Sequence, residues 1–270
     1  MKNNQKGNGL TALVTGGTSG IGLETAKALR DRGCRVYTLS RRPAAIDGIT
    51  SLTADVTDEA KVREVFSSLL KEAGQLDILV NCAGFGISGA IEFTELADAK
   101  KQFDVNFFGA VNVTKAALPS MRERKNGMIV NISSVAAPVA IPFQAYYSAA
   151  KAALNAWTAA LANEIRPFGI RVTAVQPGDI RTGFTAAREK SALGDDVYGG
   201  RISRSVSKME RDEQNGMDPA KAGAYIASMA LRKSPPPVST IGFSYKAVCA
   251  LEKILPASLF NRIVGELYAK

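Results

Sequence analysis

With 270 residues, 46% of them hydrophobic, the chain can bury one large core, and it reads as a single α/β domain. The net charge of +9 is spread along the whole sequence without a dense basic block, which argues for a solvated basic surface and against a nucleic-acid partner. Histidine is absent and Cys34, Cys82 and Cys249 form no C-x-x-C pair, so the usual zinc sets are excluded, no metal is expected, and a reducing, cytoplasmic compartment is.

In chain order, residues 1–9 read as a disordered polar tail rather than a signal sequence, and no run of about 18 apolar residues follows. Residues 10–14 have the character of a strand and 22–32 have helical spacing. Thr15-Gly16-Gly17-Thr18-Ser19-Gly20-Ile21-Gly22 therefore lies where strand turns into helix. Such a turn suits a pyrophosphate. Gly16 allows the tight bend, Gly20 lets phosphate oxygens approach the backbone, Gly22 lets helix and strand pack closely, and the helix N-terminus offers free N–H groups. Taken alone, the same glycine spacing also occurs in ordinary loops of α/β domains.

Strand-like runs at 35–39, 78–81, 128–132 and 171–175 alternate with helical stretches at 59–73, 97–118, 145–165 and 220–231. A short edge strand is expected at 49–52 and a last strand at 239–243, after the rigid connector Pro235-Pro236-Pro237. The alternation demands a parallel sheet with right-handed crossovers and helices on both faces. Arg122, Arg124 and Lys125 fall at a helix C-terminus, which explains their clustering. Residues 245–268 read as two short helices broken at Pro256; lining a pocket, dimerising or lying on a membrane stay open, with packing on the core preferred.

Tyr147 and Lys151 lie four apart in a helical stretch, so they rise from one face as neighbours. A phenol with a pKa near ~10 exchanges protons poorly at neutral pH, and a nearby ammonium is expected to lower that value. Tyr146 is the rival, but four residues after it comes Ala150. The chain also carries, in order, Asp55-Val56, Asn81-Cys82-Ala83-Gly84, Asn106, Ser134 and Pro177-Gly178.

Together with the glycine turn, this series resembles the short-chain dehydrogenase/reductase family over residues 10–237. The pattern is similar to the 17β-hydroxysteroid dehydrogenase-like branch, through Arg41-Arg42, the run Pro177-Gly178-Asp179-Ile180-Arg181-Thr182 and the tail beyond Pro237. The resemblance implies a single-domain Rossmann fold, a doubly wound seven-stranded parallel sheet in the order 3-2-1-4-5-6-7, over residues 10–243. It further implies a mobile substrate lid at about 183–217 and a helical extension at 244–270.

The resemblance also implies roles. Tyr147 donates or accepts the proton, Lys151 bonds the nicotinamide ribose, and Ser134 orients the substrate carbonyl, while Ser133 has the simpler part of satisfying the strand end. Asn106 holds a water that connects Lys151 to solvent. Gly16, Thr18, Ser19, Gly20, Ile21 and Gly22 surround the pyrophosphate, Asp55 and Val56 the adenine, Asn81, Ala83 and Gly84 the adenine ribose, and Pro177, Gly178, Ile180 and Thr182 the carboxamide. At the end of the second strand Ser40 and Arg41 stand where an NAD enzyme carries an acid, and a guanidinium there suits a 2′-phosphate, so NADP(H) is expected.

The loop 136–143, which contains Val139 and Phe143, is almost without polar side chains, and Phe85 and Phe184 fall on loops that should face the same crevice. They suggest a hydrophobic ketone or aldehyde interconverted with its alcohol, of steroid, retinoid or long-chain acyl-ketone type. The helices at 97–118 and 145–165 have more apolar surface than one sheet face covers, so a homodimer or homotetramer is expected. A non-enzymatic NADP-binding sensor is the alternative, disfavoured because such relatives commonly lack the Tyr-Lys pair. A dehydratase or epimerase on an extended fold is disfavoured by length.

Overall fold

The structure, a computed structural model, describes residues 7–270. The first half runs β1 (Thr11–Thr15), α1 (Gly20–Arg30), β2 (Arg35–Ser40), β3 (Ile49–Thr53), α2 (Glu59–Ala73), β4 (Ile78–Asn81) and β5 (Ile87–Ser88). It continues with α3 (Leu96–Phe103), a π turn (Asp104–Phe108), α4 (Gly109–Glu123), β6 (Gly127–Ile132), α5 (Ala145–Ile165) and β7 (Ile170–Gln176). The last third holds α6 (Phe184–Ala187), β8 (Glu189–Lys190), α7 (Arg201–Gln214), α8 (Pro219–Ala230), β9 (Val238–Thr240), α9 (Phe243–Ile254) and α10 (Ala257–Tyr268).

Seven strands form one parallel sheet in the order β3-β2-β1-β4-β6-β7-β9, which is 3-2-1-4-5-6-7 when its own strands are counted. Every residue of β1 and β6 is buried, as expected for parallel strands covered on both faces. On one face Val14, Val36, Val80 and Val130 meet Ala26 and Leu29 of α1 and Ile226 of α8. On the other, Leu13, Leu79 and Ile129 meet Phe66 of α2, Val113 of α4 and Leu161 of α5.

Several expectations shift. Of the tail expected over 1–9, residues 1–6 lie outside the described residues, while Gly7 is buried and donates its N–H to the Arg32 carbonyl at 2.7 Å. The helix expected at 97–118 is instead α3 and α4 joined by the π turn. There Asn106 turns inward and both accepts from Phe85 N–H (3.0 Å) and donates to Phe85 C=O (2.8 Å), and one extra residue in the helical ladder makes room for that contact. The last strand ends at Thr240 rather than 243, because Gly242 at φ +89 turns the chain and Phe243 opens α9. Arg124 does more than sit at a helix end: it bonds buried Asp77 at 2.8 Å, and Asp77 accepts the N–H of Thr11 at 2.9 Å.

The stretch 183–217, expected as a lid without structure of its own, folds into α6, β8 and α7. The strand β8 pairs in parallel with β5, and Ile202, Val206 and Met209, at helical spacing, bury one face of α7. Residues 245–268 do form two helices, with Pro256 at the start of α10; they pack on Val135 and Val139 and also line the crevice.

Candidate active site

A cavity of about 920 Å³ opens at the carboxyl ends of the strands, where strand order reverses between β1 and β4. Its floor at one end is the glycine turn. Gly16 has φ +64, and its ideal Cβ would stand 3.0 Å from the Ala83 backbone, so only glycine lets β1 and β4 exit side by side. A Cβ on Gly22 would overlap the Gly16 carbonyl, so the tight packing expected between helix and strand is made against the turn itself. The Thr15 hydroxyl fixes the other wall, accepting from Cys82 and Ala83 N–H at 2.9 and 3.0 Å.

Ser19 begins α1 without spending its hydroxyl on a cap, and the first turn of α1 holds no acid. Thr18, Ser19, Gly20 and Ile21 line the cavity there, which fits a phosphate at a helix N-terminus. Thr18 donates to Ser40 at 3.2 Å, tying the turn to the end of β2, where Ser40 and the exposed Arg41 and Arg42 form the rim. Asp55 and Val56 line the same end. Asp55 accepts from the N–H and hydroxyl of Thr57 at 2.9 and 2.8 Å, while Asp58, not Asp55, caps α2. Ala83 and Gly84 line the wall, whereas Asn81 does not. Its amide is buried, donating to Thr114 of α4 (2.9 Å) and Asn131 of β6 (2.8 Å), so the expected ribose contact is corrected to bonds within the sheet and to one helix. Pro177, Gly178, Ile180 and Thr182 close the opposite side, with Thr182 facing Gly20.

Midway along the cavity stand Ser134, Tyr147 and Lys151. Both α5 residues face inward. Lys151 is only 5% exposed, its ammonium donates to the Ile132 carbonyl at 2.8 Å, and it lies 5.8 Å from the Tyr147 ring centre. Burial pulls the Lys151 amine down to about 8. The Tyr147 phenol moves opposite to expectation. Burial pushes it up to about 12, against the lowering effect of the Ser134 hydroxyl, with Glu213 raising and Arg188 lowering it further. Desolvation is the largest influence on the phenol, and the Lys151 ammonium is itself held by a carbonyl. Both serines border the cavity, but the buried Ser133 donates its hydroxyl to the Lys151 carbonyl (3.3 Å), whereas the Ser134 hydroxyl bonds the Tyr147 phenol. Asn106 sits behind Gly84, whose ideal Cβ would lie 3.1 Å from the Asn106 amide oxygen and 3.7 Å from the Lys151 nitrogen.

The far end is apolar. Phe85, Val139 and Phe184 line it, with the Phe184 ring 5.8 Å from that of Tyr147. Phe143 does not. At φ +58 its ring turns away into a separate cluster with Ile202, Val206 and Met209, so its expected substrate contact is withdrawn. In its place come residues not foreseen: Tyr245 and Val248 of α9, and Phe260, Ile263, Val264 and Leu267 of α10. The only sequence signal was the recurrence of Phe260, Val264 and Tyr268 every four residues. Two carboxylates join this wall. Glu213 is engaged by Arg188 and by Thr185 (2.6 Å), and Asp179 accepts from the Tyr245 hydroxyl at 2.6 Å, its carboxyl raised by burial.

A family model for short chain dehydrogenase matches residues 10–192. Across 95% of the chain, the sequence is 40% identical to a 3-ketodihydrosphingosine reductase of Bacteroides thetaiotaomicron, covering 97% of that protein. It is 31% identical to a probable short-chain type dehydrogenase/reductase of Helicobacter pylori, over 93% of the chain and 95% of the relative. The fold is similar to the crystal structure of a short-chain dehydrogenase from Streptomyces avermitilis, with a TM-score of 0.82 and 32% identity over 94% of each chain.

Proposed function

The chain belongs to the short-chain dehydrogenase/reductase family, and on that footing we propose that it is an NADP(H)-dependent reductase of a ketone carried on a long alkyl chain. The family makes it an oxidoreductase with a nicotinamide cofactor. The observation that carries the substrate reading is the meeting of Tyr147 and Ser134 with an apolar channel built by α9 and α10. Within the hydrophobic classes expected from sequence we take the long acyl ketone, whose alkyl chain the apolar residues of α9 and α10 can line. It is also the class of 3-ketodihydrosphingosine, the compound for which the Bacteroides relative is named.

When bound, the nicotinamide supplies a hydride to the carbonyl carbon. Gly16, Thr18, Ser19, Gly20, Ile21 and Gly22 would hold its pyrophosphate, Asp55 and Val56 would border the adenine, and Arg41 with Ser40 would read a 2′-phosphate. Ser134 bonds the carbonyl oxygen, and Tyr147 gives that oxygen its proton as the alkoxide develops. A phenol pushed up to about 12 stays protonated at neutral pH, which suits reduction. Buried Lys151 keeps a positive charge beneath the reacting oxygen, and Asn106 fixes the Phe85 backbone beside it. Asp179 offers a carboxylate for the ammonium of an amino ketone.

The test is NADPH oxidation with 3-ketodihydrosphingosine, an equally long ketone without the amine, a steroid ketone and retinal. Turnover of both long ketones, with a lower KM for the amino ketone, is expected; turnover of the steroid or retinal alone would overturn the reading. We also propose a homodimer or homotetramer across α4 and α5, where Phe107 packs edge to face on Phe108 and Trp157 and Phe108 stays 50% exposed. A monomer in light scattering at micromolar concentration would contradict it.

A further inference from the structure

A second cavity of about 440 Å³ adjoins the first and shares Leu267 and Tyr268 with it. Its wall is cationic and hydroxylic, with Arg204, Lys208 and Arg211 of α7, the terminal Lys270, and Ser205. Asp212 answers Lys208 at 2.8 Å and Glu266 answers Lys270. Among the described residues no carboxylate pairs with Arg211, whereas Arg204 donates to the main-chain oxygens of Lys270 and Gly199, at 3.1 and 3.0 Å, and stands near enough to Asp195 to lower its carboxyl. The Ser205 hydroxyl is buried in this wall without a hydrogen-bond partner. The unpaired Arg211 guanidinium, with Arg204 and Lys208 alongside it and an unused buried hydroxyl, describes a receptor for an anion such as a phosphate.

The neighbouring surface is apolar. Phe243, Leu251 and Ile254 of α9 and Leu259, Ile263 and Leu267 of α10 are exposed, Phe243 to 90% and Ile254 to 77%. On α10 the three recur every four residues, so they form one stripe beside the inward-facing Phe260 and Val264. Leu251, Ile263 and Leu267 also line the substrate cavity, which makes the exposed stripe continuous with its mouth. Single exposed apolar residues are ordinary, but a set of six on two consecutive helices, three of them at the cavity and Leu267 also beside the cationic cleft, marks an interaction surface. Each helix is 12 residues long, and among the described residues no helix is long and apolar enough to cross a bilayer.

We propose that α9, α10 and the cationic cleft of α7 dock on an anionic bilayer, with lipid phosphates in the cleft and the α10 stripe at the acyl boundary, so that a lipid-like substrate enters the cavity without crossing water. The entry route rests on the long-chain reading above; the docking does not. The stripe accounts for the apolar part of the surface and the cationic cleft of α7 for the preference in charge.

Co-sedimentation of the full chain with phosphatidylcholine vesicles, with and without phosphatidylglycerol, tests it. The protein should pellet with the anionic vesicles about tenfold more strongly, and added salt should weaken the binding. The pair Phe243→Ser with Ile254→Ser, and separately Arg204→Glu with Arg211→Glu, should each reduce binding about tenfold while thermal unfolding and NADPH binding stay at wild-type values. No pelleting on anionic vesicles at low salt, or variants that bind as the wild type does, would overturn docking. So would vesicle binding that inorganic phosphate abolishes and the Phe243/Ile254 pair leaves intact, because the cleft would then bind free anions alone. If that pair instead splits an oligomer in light scattering and vesicles are ignored, the face belongs to a second copy of the chain. An active long-chain reductase that ignores vesicles, or an inactive protein that binds them, separates this proposal from the substrate reading.

Discussion

The glycine turn and the C-terminal helices stand at opposite ends of one cavity, and different physics holds each in place. The turn is fixed by its own backbone: Gly16 needs a positive φ, Gly22 needs an absent Cβ, and both demands are met within eight residues. The wall of α9 and α10 has no such local rule. Phe260 and Val264 are buried only because they meet Val135 and Val139, which lie more than a hundred residues earlier. An anion site is therefore written as a motif, while an apolar site is written as a packing arrangement that many sequences would satisfy.

The largest effect should fall where the two ends meet. Tyr147→Phe keeps the ring against Phe184 but removes the proton, so turnover should drop about 10² to 10⁴-fold with NADPH affinity nearly unchanged. Most of the wild-type kcat surviving would break the idea that one phenol serves both halves. Next, Phe260→Ala empties part of the apolar wall. It should cost about 3 kcal/mol in chemical denaturation and raise KM for a long ketone, with the Kd for NADPH unmoved. A matching loss of cofactor affinity would mean that the two ends are coupled.

Lys151 gives a comparable effect with a defined pH signature. Its amine titrates near 8 in the fold against 10.5 in the unfolded chain, so between those values the unfolded state binds more protons and stability must rise with pH. The rise should be roughly 3 kcal/mol from pH 8 to 10.5, absent in Lys151→Met, and followed by a fall above pH 10 as Tyr147, raised to about 12, holds its proton longer than the unfolded phenol does. Urea titrations across pH that stay flat in the wild type would contradict the buried ammonium. The smallest effect belongs to the nucleotide rim. Arg41→Ala should lose about 1.5 to 3 kcal/mol, or ten- to a hundredfold in NADPH affinity, leaving NADH and the ketone KM as they were. Equal loss for both cofactors would show that Arg41 does not distinguish them.

The sequence by itself determined the alternation of strands and helices, the parallel sheet and the place of the glycine turn, because periodicity and glycine backbone demands act over a few residues. It also put Tyr147 and Lys151 on one face, since four residues make about one helical turn. Only the tertiary structure decided which side chains the crevice keeps. Asn81 and Phe143 sit beside residues that line the cavity, yet one spends its amide on Thr114 and Asn131 and the other turns into the cluster under α7. The π turn at Asn106, the ordering of α7 and the swing of α9 and α10 onto the mouth likewise depend on partners distant in sequence. The pKa of Tyr147 makes the same point: an ammonium four residues away reads as a lowering influence, and only the packed environment reveals that burial raises the phenol.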